Sequence, residues 1–186
     1  MIRPIHTAQL TPSGLSLDDF VGDRPWSEAV QVGPPRASPI EGVSVTPLPV
    51  HSDDRGALSE LLTTRDGPIE PIVHIYQVTA LAGSIRAWVY HEHQADRLAF
   101  CNGEFEIAIC DIRPGSPTIG QLAVFRLGHA QPALLRIPPR VVHGVCNVGK
   151  EASTFVNMPT RAYDHRAPDK RRLSYDDPRI PYRFDV

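Results

Sequence analysis

Residues 137 to 147 read Ile-Pro-Pro-Arg-Val-Val-His-Gly-Val-Cys-Asn. Two prolines give way to the apolar run Val141 to Val145, which reads as a strand with one histidine, His143, inside it. Upstream, the run Ser84 to Tyr90 also reads as a strand and leads into His91-Glu92-His93. His91 and His93 are one residue apart, and on a strand that spacing points both imidazoles to the same face. Two strands of this stretch thus carry the candidate functional histidines, His91 and His93 on one and His143 on the other.

Working outward, short runs rich in Val, Ile, Leu and Phe recur from about Gly42, separated by Gly, Pro, Asn and Asp. Ile72 to Thr79, Phe105 to Cys110, Gln121 to Leu127, Ala133 to Ile137 and Thr154 to Asn157 all read as further strands. Asn102-Gly103 is a hairpin signal, because both residues tolerate positive φ. Long helical periodicity is nearly absent, so the chain reads as all-β, a sandwich or barrel. Eight prolines fall in the first fifty residues, too many for a long ladder or helix, and only Leu15 to Phe20 suggests a helical turn. Three segments follow: an N-terminal arm or strap over 1–40, a barrel over 41–162, and a polar tail over 163–186 that wraps the surface.

The chain has 186 residues, enough for one domain with a real core. A formal charge of -2 argues against a nucleic-acid-binding surface, while leaving room for a basic pocket that takes a phosphate-bearing small molecule. No apolar run is long enough to span a bilayer, and the first residues lack the apolar stretch of a secretory signal. Cys101, Cys110 and Cys146 are odd in number and sit in apolar runs, which suits buried thiols and a cytoplasmic address.

These features resemble the cupin superfamily, whose two motifs are HxHx(3,4)Ex6G and PxGxxHxxxN. The second is met by Pro138, His143 and Asn147, with Arg140 where Gly is usual; the first by His91, His93 and Gly103, with Asp96 at the acidic position. The expected fold is the cupin double-stranded β-helix, a jelly-roll barrel. A narrower resemblance is to the dTDP-4-keto-6-deoxyhexose 3,5-epimerase branch, over roughly 41–182. It rests on Asp54-Arg55-Gly56 with Glu60, on Asp111-Ile-Arg113-Pro-Gly-Ser116-Pro117-Thr118-Ile-Gly120, on Ile137-Pro138 through His143-Gly144, and on Tyr175-Asp176-Asp177-Pro178. It implies a homodimeric barrel that binds a nucleotide-linked sugar, moves a proton beside a ketone and uses no cofactor.

Against that branch, Val89 stands where the resemblance expects the histidine base, and Asn157 where it expects the tyrosine acid. Asp96 falls where it expects a lysine, with Arg97 next to it. Valine cannot remove a proton. His91 and His143 are then the candidate bases, with Asp177 as an orienting partner. Arg55, Glu60, Arg86, Arg97, Asn157 and Tyr163 are the candidate substrate-binding residues. Two alternatives stay open. His91, His93, Asp96 and His143 form a chemically sensible set for one divalent transition metal, and a relative without base or acid is a sugar-nucleotide binder. Lys170-Arg171-Arg172 reads as a solvated face, Arg55-Gly56 equally as a turn, and Asp177 before Pro178 as a turn initiator.

Overall fold

The computed structural model describes residues 17–22, 36–65 and 67–185. Most of the 1–40 arm lies outside them. A single 3-10 turn, Leu17–Asp19, falls within the stretch where the sequence suggests a helical turn.

The described residues form thirteen strands. They are β1 (Arg36–Ala37), β2 (Ser44–Pro47), β3 (Val50–Asp53), β4 (Gly56–Ser59), β5 (Tyr76–Ala80), β6 (Ile85–His91) and β7 (Asp96–Phe100). The rest are β8 (Glu104–Cys110), β9 (Leu122–Gly128), β10 (Ala133–Ile137), β11 (Val142–Asn147), β12 (Ser153–Asn157) and β13 (Lys170–Arg172). A six-stranded sheet runs β1-β2-β10-β7-β12-β5, a five-stranded sheet runs β13-β6-β11-β8-β9, and β3 with β4 makes a separate hairpin. Every pairing is antiparallel.

Alternation places the core. Phe105, Ile107 and Ile109 of β8 share one face and meet Leu98 and Phe100 of β7, Leu135 and Ile137 of β10, and Phe155 of β12. Phe100, Phe105 and Phe155 pack with ring centroids 5.0–5.5 Å apart. The opposite face of the five-stranded sheet is covered as well. Ile180, Tyr182 and Phe184 of the tail close over Trp88, Ala108, Cys110 and Val142. This explains why all six residues of β11 are buried. Gly144 answers to the same packing, since a Cβ there would lie 2.5 Å from Ala87 and 3.1 Å from the Phe184 ring.

The sequence reading needs one correction here. Asn102-Gly103 does not close a hairpin: β7 and β8 belong to different sheets, so the turn carries the chain from one sheet to the other. Gly103 is still demanded, with φ +62° and a would-be Cβ 2.2 Å from Ser153 Oγ. The signal marks a positive-φ turn, and only the packing decides which sheet the next strand joins.

Candidate active site

The two sheets separate at one end around a cavity of about 480 Å³. β5, β7 and β12 contribute Tyr76, Val78, Asp96, Leu98, Phe155 and Asn157 to its wall; β6, β11 and β13 contribute Arg86, Val89, His143, Val145, Lys170 and Arg172. Between His143↔Val89 and Val145↔Arg86 the ladder takes up one extra residue on β6. Such a bulge re-aims side chains, and here it lets Arg86 and Val89, three positions apart, both face the cavity. Lys170 and Arg172 alternate on β13, so both point inward while Arg171 does not.

Asp96 is the centre of the polar cluster and is only 3% exposed. Its Oδ1 accepts from Gln94 Nε2 (2.7 Å) and Asn157 Nδ2 (2.9 Å). Its Oδ2 lies 3.4 Å from His91 Nε2 and 3.4 Å from His143 Nε2. Burial pushes this carboxyl up, yet the His143 contact, the charges of both imidazoles and the Asn157 amide hold it well below the usual carboxylate range. His143 Nδ1 faces Val141 O at 3.2 Å. Lys170 is half-buried; desolvation pulls it below an ordinary lysine against the attraction of Asp96. Burial raises the Tyr76 phenol, as does the Asp96 charge, while the hydrogen bond from Asn157 opposes them.

His143, Arg86 and Asn157 thus line the cavity. His91 lies behind that wall, buried beyond Asp96, with its Nδ1 3.9 Å from Asp169 Oδ2. Burial holds its imidazole below the ordinary histidine value.

Several candidates lie elsewhere. β6 ends at His91, so His93 sits in an exposed bend and does not share its face; the His93 N–H donates to the Asp169 carboxylate at 3.1 Å. The metal set of His91, His93, Asp96 and His143 is therefore not assembled. Among the described residues no three His, Cys, Asp or Glu side chains are arranged to hold an ion. Arg97, one residue past Asp96, faces away, its guanidinium donating to the carbonyls of Met158, Glu70 and Pro71. Asp177 binds Arg179 and leaves the place beside His91 to Asp169. Arg55 is exposed in the β3–β4 turn on Asp53, Glu60 pairs with Arg65, and exposed Tyr163 packs edge-on against His165.

Three of the motifs turn out to share one local structure. Asp53, Asp111 and Asp177 each accept from the backbone N–H and the guanidinium of the arginine two residues on. These Asp-x-Arg units brace turns. The Asn147 amide is likewise a brace, donating to Ala80 O and Glu151 O. Arg140 adopts φ +65°, a conformation that explains why glycine is usual at that position.

Sequence reasoning missed Tyr76, Lys170, Arg172 and Asp169. The Lys-Arg-Arg run is a solvated face only in part: Arg171 and Arg172 are exposed, but the run pairs with β6, and Lys170 and Arg172 line the cavity. Its i, i+2 spacing was the available signal. Nothing in the sequence marked Tyr76 beyond its place in a strand.

In this small antiparallel barrel a histidine–carboxylate pair, three cationic side chains and a phenol face one cavity. Residues 37–185 match the model of the dTDP-4-dehydrorhamnose 3,5-epimerase family, and the chain belongs to that family. It is 34% identical over 147 residues to the spore coat polysaccharide biosynthesis protein SpsL of Bacillus subtilis, covering 79% of this chain and 97% of that one. It is 38% identical over 140 residues to a probable low-salt glycan biosynthesis epimerase of Haloferax volcanii, covering 74% and 89%. The crystal structure of a dTDP sugar isomerase from Desulfovibrio desulfuricans superposes with a TM-score of 0.72 at 26% identity, over 83% of this chain and 94% of that one.

Proposed function

We propose that this protein is a nucleotide-sugar epimerase or isomerase of deoxysugar or polysaccharide biosynthesis, acting on a 4-keto-6-deoxyhexose linked to a nucleoside diphosphate. The observation that carries this reading is the contact between His143 and Asp96 in a cavity that also receives Arg86, Lys170 and Arg172. A C–H bond beside a ketone is acidic enough to break only if a base stands near it and the enolate oxygen is stabilised. The His143–Asp96 pair is the proton acceptor, the carboxylate stabilising the positive charge that arrives on the imidazole. Lys170, half-buried beside this pair, faces the enolate oxygen. Arg86 and Arg172, exposed at the mouth, take the diphosphate, where a planar guanidinium matches phosphate oxygens. No cofactor enters these steps. This is a divergent member in which the base has moved from position 89 to the neighbouring strand, where His143 is the direct cross-strand partner of Val89.

The same reading makes the protein a cytoplasmic homodimer. Arg55 and Glu60 do not line their own cavity, and Leu58, Ile72, Val73 and Ile75 are exposed in the same stretch of chain. These residues then serve the partner's ligand. Light scattering on the purified chain checks the dimer, and a monomer at all concentrations overturns it.

The test of function is calorimetry with dTDP, then proton NMR of dTDP-4-keto-6-deoxyglucose in deuterium oxide with the protein. Binding, and loss of the signal from a ring proton beside the ketone, is the expected result. No binding at millimolar dTDP overturns the substrate class; binding without exchange leaves a sugar-nucleotide binder and overturns the enzyme.

A further inference from the structure

Behind the cavity wall lies one buried titratable group that these steps leave unused. His91 ends β6, is 5% exposed and lines no part of the cavity. Both of its ring nitrogens are buried without a hydrogen-bond partner among the described residues. Buried polar atoms left in that state call for a reason. The ring sits between two carboxylates: Nε2 is 3.4 Å from Asp96 Oδ2, and Nδ1 is 3.9 Å from Asp169 Oδ2. Asp96 Oδ2 is the same oxygen that faces His143 Nε2 at 3.4 Å. The two imidazoles lie nearly parallel, 26° apart in plane and 6.3 Å between centroids. Asp169 marks the outer end. Its carboxylate is fixed by the N–H groups of His93 (3.1 Å) and Gln94 (2.9 Å), and its side chain is 22% exposed. His143, Asp96, His91 and Asp169 thus make one file of acid–base groups from the cavity to the surface. The separations exceed those of formed hydrogen bonds, as catalytic contacts often do before a ligand binds.

We infer that His91 is a relay residue, which exchanges hydrogens between the His143–Asp96 pair and water, by way of Asp169, while a sugar fills the cavity. This rests on the proposed proton transfer. On the outward pass the pair holds the proton taken from the sugar. Asp96 Oδ2 hands a proton to His91 Nε2, the proton on His91 Nδ1 leaves to Asp169 Oδ2, and Asp169 gives it to water. On the inward pass each hop reverses, a hydrogen from solvent reaches the pair, and His91 regains its first tautomer. Over the two passes the protons balance and no charge is left behind. Burial, the largest influence on the ring, holds it below the ordinary histidine value, so a neutral imidazole has one nitrogen free to accept. The charges of Asp96 and Asp169 favour its proton, and those of His143 and Lys170 oppose it. His91 does not touch the sugar; it acts through Asp96.

The test follows a hydrogen from the sugar to water. dTDP-4-keto-6-deoxyglucose carrying deuterium or tritium beside the ketone is incubated with the protein in ordinary water. In the wild type the relay is fast, so cleavage of the bond to carbon limits washout, and deuterium leaves ahead of tritium by a full primary isotope effect. His91→Gln should bind dTDP as the wild type does, by calorimetry. Its washout should fall ~10²-fold, the low end for a positioned proton-transfer group, because the removed hydrogen returns to carbon before it escapes. The isotope effect should shrink toward one at the same time. Asp169→Asn keeps an oxygen for the His93 and Gln94 N–H groups and removes the acid; it should move both readouts in the same direction, and it decides the matter if His91→Gln does not fold. Unchanged washout in a folded variant overturns the relay. Slower washout with an undiminished isotope effect overturns it too, since that is the mark of a residue that only supports Asp96. No washout in the wild type overturns the relay together with the proposed function.

Discussion

Asp96 and Asp111 are both buried carboxylates, 3% and 0% exposed, and both are held well below the usual carboxylate range. Their partners differ in kind. Asp111 is saturated: the Arg113 guanidinium and backbone N–H, the Ser116 hydroxyl and the Thr118 hydroxyl, at 2.6–3.0 Å, occupy its oxygens. Asp96 has two amide donors on one oxygen, and only two imidazoles at 3.4 Å on the other. The first arrangement satisfies every lone pair and ties a turn to the barrel rim. The second leaves charge loosely compensated on a cavity wall. Low carboxyl pKa alone does not mark a site; the unfilled oxygen does.

Removing each carboxylate tests this contrast most severely. Asp111→Ala strands the Arg113 guanidinium and two hydroxyls, and should cost about 3–5 kcal/mol of folding stability, read from urea melts. Asp96→Asn should instead fold and bind dTDP while losing ~10²–10³-fold in ring-proton exchange. Equal destabilisation by both would erase the distinction.

The contrast sharpens if a histidine is introduced at position 89. Val89 faces the cavity opposite His143, so Val89→His should raise the exchange rate about tenfold or more in wild type and rescue part of the Asp96→Asn loss. No gain would place the reacting carbon away from β6.

Acid titration gives a smaller readout of the same difference. A depressed folded pKa means that Asp111 contributes stability above its unfolded value near ~3.9, and that this is lost as pH falls through the folded value. Wild type should therefore lose stability below about pH 4, and Asp111→Asn should flatten that limb. A limb that is unchanged in the variant would assign acid unfolding to other carboxylates.

The smallest effect concerns a residue outside both clusters. Arg140 adopts φ +65° and forms a largely exposed ion pair with Glu92. Arg140→Gly relieves a left-handed residue at the cost of a weak surface pair, and should stabilise the fold by about 1 kcal/mol.

The fold was legible because period-2 patterning survives where one face is buried, as in β10 and β12, and because β8, buried on both faces, reads as an almost continuous apolar run; all three appear in the sequence almost where they stand in the structure. β7 was not legible. All five of its residues are buried, and two of them, Asp96 and Arg97, are charged, so no alternation reveals it. The His143 motif, and Val89 at the position where the resemblance expects a base, could be placed from the sequence, since both lie within one ladder. His93 failed because the strand stops at His91, a boundary no spacing rule supplies. Asp177 failed because a local arginine two residues on competes for it. Lys170, Arg172 and Tyr76 reach the site through long-range pairing, which only the folded chain defines.

The position of β13 in the chain has a consequence for biosynthesis. Both sheets draw their central strands from residues before Met158, yet two of the three cavity cations and the aromatic cover of the outer face come from the tail. On the ribosome the barrel can pair its strands early, but two of its cavity cations arrive only with β13. A chain cut after Asn157 keeps His143, Asp96 and Tyr76, and of the three cations among the described lining residues it keeps Arg86 alone. Competence for an anionic ligand thus reports that synthesis has passed β13.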